Sequence, residues 1–233
     1  MTEVIAFGAH PDDAEIGMGG TLALLAASRR VGIVDLSAGE LASNGTAAVR
    51  LQEGRTAADI LGVAWRKCLG LPDSRLDPAD PTQVEAIVAV LRSEQPAVVF
   101  SPEPGDRHPD HVAAAALVTR ACFLSGLLRY GTGKPHRPLQ HFHYLINSAA
   151  LPDFVVDVTA QYDRKEESLA AHASQFCREG GWPTALNDFG FPQLIRARDE
   201  YLGARIGARR GEGFTSREPL GLSDPSQLWS RPT

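Results

Sequence analysis

Short apolar runs alternate with longer stretches in which apolar residues recur every three or four positions, and this alternation predicts the fold. Val4–Ala9 reads as a strand, and the apolar, alanine-rich Gly20–Ser28 as a helix. Gly32–Leu36 is a second short run containing β-branched residues. In Ala47–Leu61, Val49, Ala57, Ile60 and Leu61 stand apolar among charges, and Gly62 sits where a helix would close. Trp65–Leu71 predicts a third strand. Val84, Ile87, Val88 and Leu91 form one face of a helix over Val84–Ser93, and Ala97–Ser101 is a fully apolar strand. Val112–Leu128 reads as a helix, with strands at Phe142–Ile146 and Phe154–Val158. Wholly apolar strands alternating with helices predict an α/β, Rossmann-like architecture, a mostly parallel sheet with helices on both faces.

From Ala160 the pattern turns helical, with candidates at Gln161–Ala173 and Leu194–Gly207. Between them CREGGWPTALNDFGFP is rich in glycine, proline and aromatics, and its Gly180–Pro192 part reads as a long loop of the kind that forms lids. The tail, Gly211–Thr233, shows little periodicity and predicts no element. With no repeat, low-complexity tract or linker, one domain over residues 1–233 is expected, its C-terminal part helical and loop-rich.

Composition narrows the partners. A net charge of −5 argues against nucleic acid, which needs a basic face. No apolar run reaches the roughly 18 residues of a membrane span. The N-terminus enters a strand directly, without the pattern of a signal peptide. Cys68, Cys122 and Cys177 are far apart and form no CxxC, so neither a thiolate cluster nor a disulfide frame is indicated. A cytoplasmic protein with three buried thiols is expected.

The chemistry lies at strand ends. FGAHPDD (Phe7–Asp13) closes the first strand by crowding two carboxylates beside an imidazole. Adjacent carboxylates resist joint ionisation unless a cation is near. Pro11 keeps His10 extended, so Asp12 and Asp13 fall at the entry to the next helix. Asp12 and Glu15 also have the spacing of a capping box, which would explain one aspartate but not His10. A second cluster, PEPGDRHPDH (Pro102–His111), follows AVVFS and holds Asp106, His108, Asp110 and His111. Two His/Asp clusters after two strands of one sheet can converge where α/β proteins bind ligands. Two histidines and a carboxylate with one position open make a catalytic zinc site. Such an ion lets one aspartate ligate while its neighbour stays ionised.

GAHPDDAEIGMGGT and DRHPDH resemble the two signature motifs of the PIG-L/LmbE-like zinc N-deacetylases, which act on N-acetylglucosaminyl compounds. ELASNGT, LPDSRL, SQF and GEGF further resemble the branch that deacetylates N-acetylglucosaminyl-malate in bacillithiol biosynthesis. The resemblance implies one Zn²⁺ per chain, Fe²⁺ being the alternative native metal, held by His10, Asp13 and His111. It implies Asp12 as general base toward the attacking water. His108 would stabilise the oxyanion and protonate the leaving amine, with Asp110 holding its orientation. It also implies a small sugar conjugate as substrate, with Arg50 and Arg107 gripping the malate carboxylates. Homo-oligomers, hexamers among them, are expected, with no nucleic-acid or membrane partner. A chitooligosaccharide or other glycoconjugate is the alternative substrate.

Three rival readings fit the sequence less well. Gly17, Gly19 and Gly20 follow the first strand and Asp35 ends the second, as in a dinucleotide site, but Leu22 replaces the third glycine and the two aspartates would repel a pyrophosphate. The glycines fit close helix–sheet packing better. A 2-His-1-carboxylate iron oxygenase shares the donor set but not the α/β alternation. A sugar-binding module needs no base beside the metal. His136, His141, His143 and His172 are expected to pack, cap or face solvent.

Overall fold

The computed structural model describes residues 2–148, 150–177, 180–187, 190–221 and 223–224. Residues 178–179 and 188–189 of the long loop, and the tail from 225, lie outside the described residues. Among the described residues seven strands form one sheet: β1 (Val4–Gly8), β2 (Val31–Asp35), β3 (Trp65–Cys68), β4 (Val98–Pro102), β5 (Gln140–Tyr144), β6 (Phe154–Asp157) and β7 (Gly211–Ser216), in the order β3-β2-β1-β4-β5-β7-β6. The first five in that order pair parallel, and β7 runs antiparallel between β5 and β6. The helices are α1 (Asp13–Ala26), α2 (Ala47–Leu61), α3 (Pro81–Glu94), α4 (Pro109–Ser125), α5 (Tyr162–Ala171), α6 (Ala173–Phe176) and α7 (Phe191–Ile206).

The strand period of two builds two cores. Val4 and Ala6 of β1 face α1, α2 and α7, whereas Ile5 and Phe7 face α3 and α4. This is the two-faced parallel sheet that the apolar strands predict. α2 has the predicted bounds: Thr46 accepts a hydrogen bond from the Val49 N–H at 3.3 Å, and Gly62 closes the helix at φ 75°. Close packing accounts for the glycines of α1. A Cβ on Gly17 would lie 2.1 Å from the Tyr144 ring, and one on Gly20 would lie 2.7 Å from Val158.

Two expectations fail. The stretch Gly211–Ser216 is no structureless tail but a strand inserted into the sheet. GEGFTS lacks an apolar alternation because Glu212 is buried for a tertiary reason, with its carboxylate on the α1 backbone and on Lys165. The three thiols also differ: Cys122 is buried, Cys68 is half-buried and Cys177 is exposed. No helix among the described residues is long and apolar enough to cross a membrane.

A buried ionic knot joins α1 to the sheet. Arg66 grips Asp35 with two hydrogen bonds of 2.7 and 2.8 Å and also pairs with Glu15. Burial would raise the Glu15 pKa, but Arg66 and His172 hold it at about 2. Because that value is depressed, the associated stability is complete above the unfolded value of about 4.3 and is lost as pH falls toward 2. Arg66→Met leaves the buried Asp35 carboxylate unpaired and Glu15 with His172 alone, and is expected to cost about 3–5 kcal/mol in urea unfolding at pH 7. A change under 1 kcal/mol would show that the knot contributes nothing.

Candidate metal and catalytic centre

The site lies where the sheet order reverses. β1 leads through α1 to β2 on one side, and β4 pairs on the other, so the carboxyl ends of β1 and β4 are neighbours. Ligands of open α/β sheets bind at such a switch point. The HPDD turn leaves β1 and the HPDH loop leaves β4, and adjacency of the strands brings them together.

Asp12 has φ 128°, a conformation costly for a residue with a Cβ. The turn sends the adjacent carboxylates apart. Asp13 accepts the His10 backbone N–H at 2.9 Å and faces His111, while Asp12 meets Arg50 at 3.2 Å. The capping box does not form. Asp12 makes no side-chain cap, and Glu15 turns to Arg66 and His172. On the other strand end, His108 is the N-cap of α4, its Nδ1 accepting the Asp110 N–H at 3.2 Å. That bond leaves the ring proton on Nε2.

His10, Asp13 and His111 bring one ligand atom each to within 4.8 Å of one another. Asp13 stands 3.1 Å from His111 Nε2 and 3.7 Å from His10 Nδ1. Ligands on a tetrahedral zinc are about 3.3 Å apart, given bonds of about 2.0–2.1 Å. Behind each imidazole stands a carboxylate. His10 Nε2 lies 3.1 Å from Asp110 and 3.2 Å from Asp73, and His111 Nδ1 lies 3.1 Å from Asp106. The Asp106 contact is an ion-pair distance, out of line for a hydrogen bond. Carboxylates behind histidines fix the tautomer that turns the other nitrogen toward a metal. The residues therefore fit the ion. His10, His108 and Asp110 form a second close group, but His108 is exposed and its Nδ1 is already spent on the cap.

Carboxylates dominate the electrostatics of the site. Burial alone would depress both imidazoles. Asp110 and Asp73 instead raise His10 to about 10, and Asp13 and Asp106 raise His111 to about 9. His108 goes the other way, lowered by the partial desolvation of its ring against the site and by its two histidine neighbours. Burial raises Asp12, against the pull of Arg50.

His10, Asp12, Asp13, Asp73, His108 and His111 line a cavity of ≈ 470 Å³, with Leu41, Ile146, Leu186 and Phe191 forming apolar wall. Thr184 and Ala185 bring the expected lid loop to its rim. Both arginines line it too, but differently. Arg50 is buried and donates to the carbonyls of Gly39 (3.1 Å) and Pro11 (2.8 Å) as well as to Asp12. Arg107 is exposed at the rim, 3.4 Å from the Asn147 side-chain oxygen.

The family model for PIG-L, described as GlcNAc-PI de-N-acetylase, matches residues 5–122. The chain belongs to the PIG-L family. Diacetylchitobiose deacetylase of Thermococcus kodakarensis is 29% identical over 92% of this chain and 82% of its own length. A probable N-acetyl-alpha-D-glucosaminyl L-malate deacetylase 2 of Bacillus cereus is 30% identical over 71% of this chain and 80% of its own. Among solved structures, a conserved protein of Thermus thermophilus superposes over 100% of both chains with a TM-score of 0.89 and 37% identity.

Within this PIG-L site the carboxylate of Asp110 does not orient His108. It takes the Ser74 N–H at 2.8 Å and faces His10, and only its backbone N–H meets His108. Asp73 and Asp106 went unassigned in the sequence. Asp73 lies in LPDSRL just past β3, a third strand end on the same edge, and Asp106 precedes His108 by two residues. Strand-end position is the signal that both carry. His172, expected to pack or cap, is wholly buried 3.2 Å from Glu15.

Proposed function

We propose that this PIG-L protein is a zinc-dependent N-deacetylase of an N-acetylglucosaminyl conjugate, with malate as the aglycone. One observation carries the reading: three ligand atoms from two strand ends converge, each imidazole is backed by a carboxylate, and a further carboxylate, Asp12, stands beside them. His10, Asp13 and His111 would hold the ion. A bound zinc supplies Lewis acidity, polarising the amide carbonyl and bringing water to a workable pKa near 7.

The other steps belong to side chains. Asp12 takes a proton from the attacking water as its oxygen bonds to the carbonyl carbon. It returns that proton to the nitrogen as the C–N bond breaks, so acetate and a free amine leave. Burial keeps Asp12 basic enough to accept, and Arg50 keeps it ionised and aimed. His108 donates its Nε2–H to the developing oxyanion. Protonating the amine from His108 would require an imidazolium, and its Nδ1 is engaged as acceptor of the Asp110 N–H. Asp12 is therefore the better proton carrier in both directions.

The malate reading also refines the arginine roles. Arg50 spends its two terminal nitrogens on Gly39, Pro11 and Asp12, which ties it to the HPDD turn and to the proposed base. Arg107, exposed at the rim with one long bond to Asn147, is the better-placed fork for a substrate carboxylate. The test is amine release from N-acetylglucosaminyl-malate, N-acetylglucosamine and diacetylchitobiose. The malate conjugate is expected to turn over fastest. Arg107→Ala should lower its kcat/KM by about 10–100-fold and leave N-acetylglucosamine unchanged, while Arg50→Ala should lower both. Preference for diacetylchitobiose would refute malate and leave the deacetylase. No amine release from any of the three would refute the activity.

A further inference from the structure

The helix that carries Asp13 is broken. Within α1, Met18 has φ −149° and ψ 26°, far from helical values, so the first turns form a short separate segment. A break in a buried helix exposes carbonyls on one side and N–H groups on the other, and each needs a partner. The partners come from the far end of the chain. Arg198, on α7, donates to the Ile16 carbonyl at 2.7 Å, at the end of the first segment. Glu212, on β7, accepts the N–H groups of Gly20 and Thr21 at 2.9 and 2.7 Å, at the start of the second. A cation at a helix C-terminus and an anion at an N-terminus also match the two dipoles.

The two caps are joined. Lys165 bridges Glu212 at 2.6 Å and Asp199 at 2.7 Å, and Asp199 accepts from Arg198 Nε at 2.9 Å. Lys165, Asp199 and Glu212 are wholly buried. The guanidinium of Arg198 also reaches the carbonyls of Leu145 and Ile146, at 2.7 and 3.2 Å. Ile16 and Ile146 both line the active cavity, so one guanidinium ties two of its walls together.

We propose that Arg198 is a positioning residue for the metal centre: it anchors the detached first segment of α1, and with it Asp12 and Asp13, against the sheet. This rests on the metal-dependent reading above. The break frees that segment to be set by the site's geometry rather than by the helix axis. The C-terminal GEGF segment thereby gains a role, since its glutamate holds the other side of the break.

The test measures zinc affinity by competition with a chromophoric chelator, beside kcat, KM and the melting temperature of the metal-free protein. Arg198→Met is expected to weaken zinc by about 10–100-fold, the range for losing outer-shell support, and to lower kcat with little change in KM. Arg196→Met, two residues away in an exposed pair with Glu166, should change neither. Should Arg198→Met fail to fold, Arg198→Lys decides the matter: it keeps the charge but not the fork, and at least a fivefold loss of zinc affinity is expected. A lower melting temperature with wild-type zinc affinity and kcat would make Arg198 merely structural and overturn the proposal. Wild-type protein that binds no zinc would refute the metal reading itself, and this inference with it.

Discussion

Asp12→Asn is expected to keep its full complement of zinc and lose about 10²–10⁴ in kcat, the usual range for a missing general acid or base. Asparagine has nearly the same shape, so the Arg50 guanidinium, now 3.2 Å from the carboxylate, keeps an oxygen to donate to. The turn at φ 128° tolerates asparagine as well as aspartate. What disappears is the proposed proton acceptor. The variant therefore separates chemistry from metal binding, because Asp13, not Asp12, faces both imidazoles. Elemental analysis and a steady-state assay decide it. Near-normal turnover would remove Asp12 from the mechanism, and loss of zinc with turnover would make it a ligand.

Removing the metal should have the larger effect. Chelation is expected to abolish amide hydrolysis and added zinc to restore it. His10→Ala, Asp13→Ala and His111→Ala should each empty the site, since each deletes one of the three proposed ligands. Asp110→Asn and Asp106→Asn should act more gently. They keep the first set of donors but weaken the grip behind His10 and His111, for about 10–100-fold in affinity. Uptake should also depend on pH in a definite direction. Protons held at His10 up to about 10 and at His111 up to about 9 compete with the ion, so affinity should rise with pH through neutrality and level off beyond those values. Full occupancy in all three alanine variants would sink the ligand set.

Local pattern made most of the architecture legible. Apolar runs such as VIAF and AVVFS become parallel strands buried on both faces, and Ala47–Leu61 keeps its bounds because Thr46 and Gly62 cap it through neighbouring atoms. β7 escaped notice because its burial depends on partners from α1 and α5. A sequence window sees only Gly211, Glu212 and Gly213, not the N–H groups of Gly20 and Thr21 or the amine of Lys165.

The same division runs through the site. The sequence by itself determined that two His/Asp clusters follow two strands, and residue chemistry alone implied a cation there. The order of strands decided that they meet, because β1 and β4 become neighbours only through the reversal of the sheet. Side-chain direction was likewise out of reach. Asp12 and Asp13 are adjacent in sequence yet point to Arg50 and to His111, divided by one strained turn. Asp110 is two residues from His108 yet serves His10, 100 positions away. Arg50 reads from sequence as a substrate clamp, and only the fold shows that it also pairs with the buried Asp12 while lining the cavity. Residue types and spacing limit which chemistry is available. The direction of each side chain, set by long-range packing and by which buried charges must be paired, decides which residue performs it.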